Sequence, residues 1–161
     1  MHDVLSNMNI RPVIVSEAAI ISELAMRSKA HWGYTPEFIE ACRAELSHTA
    51  EQFDGEMIFY AAELNGAILG FYALIPLENK SFELDALFVE PRYIDAGVGR
   101  VLMQHAIEQV HIRGGLTILI VSDPYAESFY QKAGAYRIGE RPSGSIAGRF
   151  LPLMQIEVKP N

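Results

Sequence analysis

The chain has 161 residues, half of them apolar and 20% charged, which is one ordinary domain's worth of sequence with ample material for a core. Intrinsic disorder is excluded as a description of the whole chain. Thirteen Lys and Arg against 20 Asp and Glu give a net charge of −7, so the surface as a whole repels a phosphate backbone and no nucleic-acid partner is expected.

A small anionic ligand remains compatible with that charge, because the free N–H groups at a helix start bind phosphate without a basic patch. Cys42 is the single cysteine, which excludes an internal disulfide and a cysteine-based zinc cluster and fits a reducing compartment. The opening segment MHDVLSNMNI carries Asp3 and no apolar h-region, and the longest uncharged apolar stretch, Ala67–Pro76, is too short for a bilayer. These features predict a soluble, unexported, cytoplasmic protein with no membrane association. They also predict one continuous domain over residues 1–161, with residues 1–9 loosely held.

Residues 10–15 predict a short strand, after which Ser16 is placed to cap a helix whose residues Ile20, Ile21, Leu24 and Ala25 share one face. Thr35-Pro36 pairs a capping hydroxyl with proline at the first helical position, and Phe38, Ile39, Cys42 and Leu46 then recur at helical spacing. The loop His31-Trp32-Gly33-Tyr34 joins these two helices. The period then changes. MIFYAAEL and AILGFYALIP are rich in β-branched and aromatic residues and flank Asn65-Gly66, a strong two-residue hairpin signal.

Residues 82–89 predict the next strand, where Phe82, Leu84, Ala86 and Phe88 alternate with Glu83, Asp85, Leu87 and Val89, so that Glu83 and Asp85 share a face. Pro91 stops it, and Ile94-Asp95-Ala96-Gly97-Val98-Gly99 opens a long helix with Val98, Val101, Leu102, Ala106 and Val110 on one side, ended by Gly114-Gly115. A short apolar strand at 117–121, a short helix at 126–132 closed by Gly134, and two strands at 136–140 and 150–158 around a Gly/Ser/Pro-rich loop complete the order β-α-α-β-β-β-α-β-α-β-β. The last two strands are candidates for pairing with a second subunit.

A strand that runs through a glycine-rich turn into a helix offers unpartnered N–H groups and a dipole that favours negative charge. The alternative is that Gly97 and Gly99 simply let the chain turn and pack closely. No Lys follows the glycines, as a Walker motif demands, and Leu102 stands where a dinucleotide fingerprint has its third Gly.

Beyond this turn, the stretch from Val89 and Pro91 through residues 94–99, then Asp123-Pro124-Tyr125-Ala126-Glu127-Ser128-Phe129-Tyr130 with Gly134 behind it, resembles the GCN5-related N-acetyltransferase (GNAT) superfamily. That family's pattern is a strand ending in Val and Pro, an Arg/Gln-x-x-Gly-x-Gly/Ala turn, a long helix, a strand, and an Asn-x-x-Ala-x-x-x-Tyr helix ending in Gly. The motifs cover residues 82–136 and the element order extends over nearly the whole chain. Ile94, Asp95 and Asp123 depart from the usual Arg or Gln, Gly and Asn, and the Asp95 carboxylate is expected to point to solvent.

The resemblance implies an α/β (α+β) fold: a mixed, largely antiparallel sheet whose fourth and fifth strands splay apart, flanked by four helices. It implies acetyl-CoA as co-substrate, with pantetheine against the backbone of Leu87, Phe88 and Val89. The diphosphate would meet the N–H groups of Ile94, Asp95, Ala96, Gly97, Val98, Gly99 and Arg100, and Asp123, Ala126 and Phe129 would lie on the cofactor side. A small-molecule amine, such as an amino acid or analogue, would enter over the loop between the first two helices. An acyl-CoA sensor without catalysis and a protein-directed acetyltransferase are the competing readings.

An amine is mostly ammonium at neutral pH, so attack on a thioester needs a base. Glu83 and Asp85 lie where the resembling family often has one, Glu83 being preferred, and a solvated surface pair is the alternative. Tyr130 aligns with the family tyrosine near the cofactor sulfur and is the candidate acid, against the plainer reading of a core aromatic beside Phe129. On the acceptor side, His31, Trp32 and Tyr34 are placed as a wall and Arg149 as a holder of an acceptor carboxylate. His105 reads as a hydrogen-bonded packed residue and Cys42 as core, and no His pair has i, i+4 metal spacing, so no metal is expected.

Overall fold

The structure, a computed structural model, describes residues 3–159. Its helices are α1 (Asp3–Asn7), α2 (Ala18–Ala30), α3 (Pro36–Ala41), α4 (Arg43–Leu46), α5 (Val98–Ile112) and α6 (Glu127–Lys132). Its strands are β1 (Asn9–Pro12), β2 (Ile58–Leu64), β3 (Ala67–Pro76), β4 (Ser81–Val89), β5 (Thr117–Val121), β6 (Tyr136–Pro142) and β7 (Phe150–Glu157). The strands form one seven-stranded sheet in the order β1-β2-β3-β4-β5-β7-β6. Only β4 and β5 pair in parallel; every other neighbouring pair is antiparallel. The expected mixed, largely antiparallel sheet is therefore present.

Local chemistry accounts for the boundaries. Asn65 (φ +52°) and Gly66 (φ +84°) both occupy the left-handed region, as the primed turn of a two-residue hairpin requires. Thr35 Oγ1 accepts from the Phe38 N–H at 3.1 Å and Pro36 opens α3. Ser16 does not cap α2: it lies inside a 3-10 turn, Val15–Glu17, and α2 starts at Ala18. The one helix expected after Thr35 is two short ones meeting at Cys42, and α1 is an additional helix, so the described residues hold six α-helices where four were expected.

Residues 1–9 were expected to be loose, but residues 3–7 form α1, and Val4, Leu5 and Met8 pack on the core under α5. Met1 and His2 lie outside the described residues.

The sheet separates two apolar layers. On one face Leu102, Ala106 and Val110 of α5 pack with Leu84, Ile118 and Met154; on the other, Ile21, Leu24 and Ala25 of α2 pack with Ala61, Phe71 and Ala73. Strict alternation along β4 fails at one place. Register runs Leu74↔Leu84 and then Ala73↔Ala86, which leaves Asp85 unopposed in a β-bulge. Phe82 and Leu84 consequently face the α5 layer, whereas Ala86 and Phe88 face the α2 layer.

β4 and β5 pair from Ser81↔Thr117 to Leu84↔Ile120 and then part, which is the splay expected between the fourth and fifth strands. Residues 86–89 thus keep β3 on one side, and among the described residues no strand pairs with 85–89 on the other.

Ile20 was placed on the buried stripe of α2, yet it is 52% exposed, while Ile21 is 0% exposed. Ile21→Ala should therefore cost about 2–5 kcal/mol and Ile20→Ala no more than about 0.5 kcal/mol, read by chemical denaturation of the two variants.

Candidate active site

A cavity of about 590 Å³ opens where β4 and β5 part. Leu87, Phe88 and Val89 line it along the unpaired edge of β4, and Val121, Asp123, Ala126, Phe129 and Tyr130 line it from the β5 side. Glu83 and Asp85 also lie on its wall, so the three residues assigned to proton transfer are brought to one space.

The turn into α5 stands at the mouth. Residues Pro91–Ala96 form a 3-10 turn, Gly97 adopts φ +91°, and the first helical bond runs from the Val101 N–H to the Gly97 carbonyl at 3.2 Å. The N–H groups of Val98, Gly99 and Arg100 thus precede that bond, and the 15-residue α5 adds its dipole behind them. Ile94, Asp95 and Gly99 line the cavity, while Ala96, Gly97, Val98 and Arg100 are not on its lining.

The two glycines have different reasons. Gly97 needs its positive φ, and a Cβ there would sit 3.1 Å from Leu5 Cδ1, outside the cavity; a Cβ on Gly99 would meet Phe129 Cε1 at 3.3 Å. Asp95 is exposed, as expected, and it stands at the rim of the cavity.

Burial pushes the Glu83 carboxyl above the usual range, with Asp85 adding to the rise and Arg141, at 3.9 Å, opposing it. Burial also raises the Tyr130 phenol, helped by the charge of Asp123, and its hydroxyl makes no hydrogen bond among the described residues. A phenol so placed keeps its proton at neutral pH and has it available to a neighbour in the cavity.

The acceptor-side assignments divide. Trp32 lines the cavity and stacks on Tyr125 with ring centroids 5.5 Å apart. His31 contacts the edge of Trp32 and is off the lining. Tyr34 and Arg149 are off it too, because both are consumed by Asp123. The Tyr34 hydroxyl donates to the Asp123 carboxylate at 2.9 Å, Arg149 Nη2 donates to that hydroxyl at 2.8 Å, and Lys29 Nζ pairs with Asp123 at 2.8 Å. Arg149 also lies over the Phe38 ring at 4.8 Å. Its Nη2 is engaged with Tyr34 and Asp123, and its side chain is off the cavity lining.

Burial would raise the Asp123 carboxyl, but Lys29, the Tyr125 N–H and Tyr34 outweigh it and hold the group below its usual value. Burial and the neighbouring Asp123 push the Tyr34 phenol up to about 12.

Several lining residues carried no sequence signal. His48 is buried with Nε2 3.1 Å from Asp85 Oδ2; Lys29, Glu45 and Arg141 bring charges from α2, α4 and β6. Each reaches the cavity from an element distant in sequence, so no local spacing could point to it. His105 takes a hydrogen bond with the buried Tyr72 at 2.7 Å, and Cys42 lies in the α2 layer.

A sheet opened at this point, with a helix N-terminus beside the cavity, defines an α/β domain with a cleft between two parting strands. The sequence model of the acetyltransferase (GNAT) domain matches residues 23–144, and the chain belongs to that family. It is an acetyltransferase domain with the family's fold.

Among solved structures, the chain is similar to the PaiA N-acetyltransferase of Thermoplasma acidophilum in complex with coenzyme A, with a TM-score of 0.73, 20% identity and coverage of 93% of this chain and 98% of that one. It is also similar to an aminoglycoside 6′-N-acetyltransferase complexed with coenzyme A, with a TM-score of 0.71, 20% identity and coverage of 95% and 98%. The ribosomal-protein-S18-alanine N-acetyltransferase of Escherichia coli gives a TM-score of 0.71 at 17% identity, covering 96% of each chain. No protein of curated function matches the chain in sequence. Among the described residues, no helix is long and apolar enough to cross a membrane.

The Asp123 node carries a pH signature. A carboxyl whose folded value is depressed contributes stability above its unfolded value, here 3.8, and loses it as pH falls through the folded value. Asp123→Asn should cost about 1–3 kcal/mol at neutral pH and flatten the loss of stability below pH 3.8, read by denaturation at a series of pH values.

Proposed function

We propose that the protein transfers an acetyl group from acetyl-CoA to a primary amine of a small molecule by direct attack, in the cytoplasm. The observation that carries this reading is the unpaired edge of β4 at residues 85–89, with Glu83 and Tyr130 on the wall of the same cavity. An extended ligand arm with amide groups can pair with such an edge as an added strand would. The free N–H groups of Val98, Gly99 and Arg100 suit a diphosphate, and the CoA complexes of two fold relatives support the same ligand here.

Glu83 takes the proton that the acceptor ammonium must lose, directly or through a water, and its raised carboxyl is better matched to that task at neutral pH than an ordinary one. The amine nitrogen then attacks the thioester carbon, the C–S bond breaks, and Tyr130 gives its proton to the departing thiolate. Cys42 lies in the core and forms no part of this route, which needs no enzyme nucleophile. Trp32 and Tyr125 form an aromatic wall on the acceptor side. Arg149, with its Nη2 on Tyr34 and its side chain off the lining, is given no part in this reading.

Thiol release from acetyl-CoA in the presence of a panel of small amines tests the reading; no release with any of them would overturn it. Tyr130→Phe keeps the ring and removes the proton donor, so kcat should fall roughly 100-fold in single-turnover measurement with CoA affinity little changed. Asp95 presents a carboxylate to the region of the phosphate turn. Asp95→Asn should therefore tighten CoA binding by about 2- to 5-fold at low salt, read by titration calorimetry.

A further inference from the structure

His48 sits between α4 and the 3-10 turn Ala50–Asp54, with its side chain 2% exposed. Its backbone is bolted to α2: the His48 N–H donates to Ser22 Oγ at 2.8 Å, and that hydroxyl donates to the Ala18 carbonyl at 2.7 Å. The imidazole stands edge-on to Phe59 and Phe71, at centroid distances of 5.4 and 5.7 Å. Nδ1 is buried with no hydrogen-bond partner among the described residues, and Nε2 meets Asp85 Oδ2 at 3.1 Å. A carboxylate only accepts, so Nε2 carries the proton and donates it. An apolar side chain would fill this slot without an orphaned nitrogen. What the imidazole adds is one donor, held rigid from behind and aimed at Asp85.

Asp85 needs such a hold. It is the bulged residue of β4, with no partner across β3 and no strand on its other side. Its carboxylate lies on the cavity wall with Glu83, and the groups that face the pair from other elements are Arg141 of β6, Glu45 of α4 and Lys29 of α2.

We propose that His48 is a positioning residue for acyl transfer: its Nε2–H holds the Asp85 carboxylate at the bulge, turned into the cavity beside Glu83, so that Glu83 works as a base next to a second negative charge. This rests on the acyl-transfer reading above. Burial does most to raise the Glu83 carboxyl and Arg141 opposes the rise; the Asp85 charge offsets part of that opposition, which is the direction a base needs at neutral pH. If His48 lets go, the Asp85 carboxylate is free to swing away, and Glu83 loses that charge.

The test uses the full chain with acetyl-CoA and an amine that the wild type acetylates. His48→Leu should lower kcat by about 10- to 100-fold, the scale of a misplaced catalytic group, while the KM for acetyl-CoA stays within about 2-fold. The acid limb of its kcat/KM profile should move to lower pH. His48→Gln, whose amide can reach the position of Nε2, should restore most of the rate and the wild-type limb. In an Asp85→Ala background His48→Leu should lower kcat no further, since nothing is left to hold. If the Leu variant does not fold, His48→Asn, whose amide stops short of Asp85, takes its place.

Wild-type kcat and an unmoved limb in the variant would overturn the proposal, and so would a loss that adds in full to that of Asp85→Ala. Failure of the wild type to acetylate any amine would instead sink the acyl-transfer reading, and this proposal with it.

Discussion

Parallel pairing between β4 and β5 stops at Leu84 and Ile120, and the rest of the molecule is arranged around that interruption. Two features enforce it. The bulge at Asp85 inserts a residue and bends β4, and β5 ends at Val121, where the Ser122 N–H turns away to the Pro152 carbonyl of β7. Past this point, residues 85–89 have backbone groups on the β5 side with no strand to receive them. In a closed sheet those groups would be a fault; at the wall of an open cavity they are open to pairing, which is what the proposed function uses. The same bulge moves Ala86 and Phe88 to the α2 layer, so α2 and α5 can each bury a full face against one strand.

Opening a sheet leaves its two halves in need of another connection, and the Asp123 node supplies one. Lys29 comes from α2, Tyr34 from the loop after it, Asp123 from the segment after β5 and Arg149 from the approach to β7. A carboxylate at this depth is costly unless charged and hydrogen-bonded partners surround it. Here they do, and the balance falls on the ionised side. An Asn at position 123 would leave Lys29 and Arg149 without their counter-charge. The departure from the family's usual Asn is thus explained by two cations that lie 94 and 26 residues away in sequence.

Much of the fold was legible because it is written in local patterns. The hairpin at Asn65-Gly66, the cap at Thr35-Pro36 and the glycine turn into α5 each declare themselves within a few residues. What was not legible depends on partners far along the chain. Ile20 and Ile21 are equally apolar, and only the direction from which the sheet meets α2 decides which is buried. The bulge at Asp85 leaves an alternating sequence unchanged, so period two assigned Ala86 and Phe88 to the wrong face. Arg149 looked like a free anion holder because Tyr34 and Asp123, which occupy it, belong to other segments. His48 gave no signal at all, since its meaning lies in Asp85, 37 residues on.

The cavity's two walls come from different layers, and this divides the chemistry. The β5 side and the turn into α5 present free N–H groups and the Tyr130 phenol, an environment that suits anionic phosphates and a leaving thiolate. The α2 side presents Glu83, Asp85 and Glu45 with Arg141 as a partial counter-charge, an environment that suits a cation losing its proton. Burial keeps the Glu83 carboxyl above its usual range on one side of the open strand edge, and on the other the Tyr130 hydroxyl has no hydrogen bond among the described residues, so under the proposed reading a base and an acid share one cavity without pairing with each other.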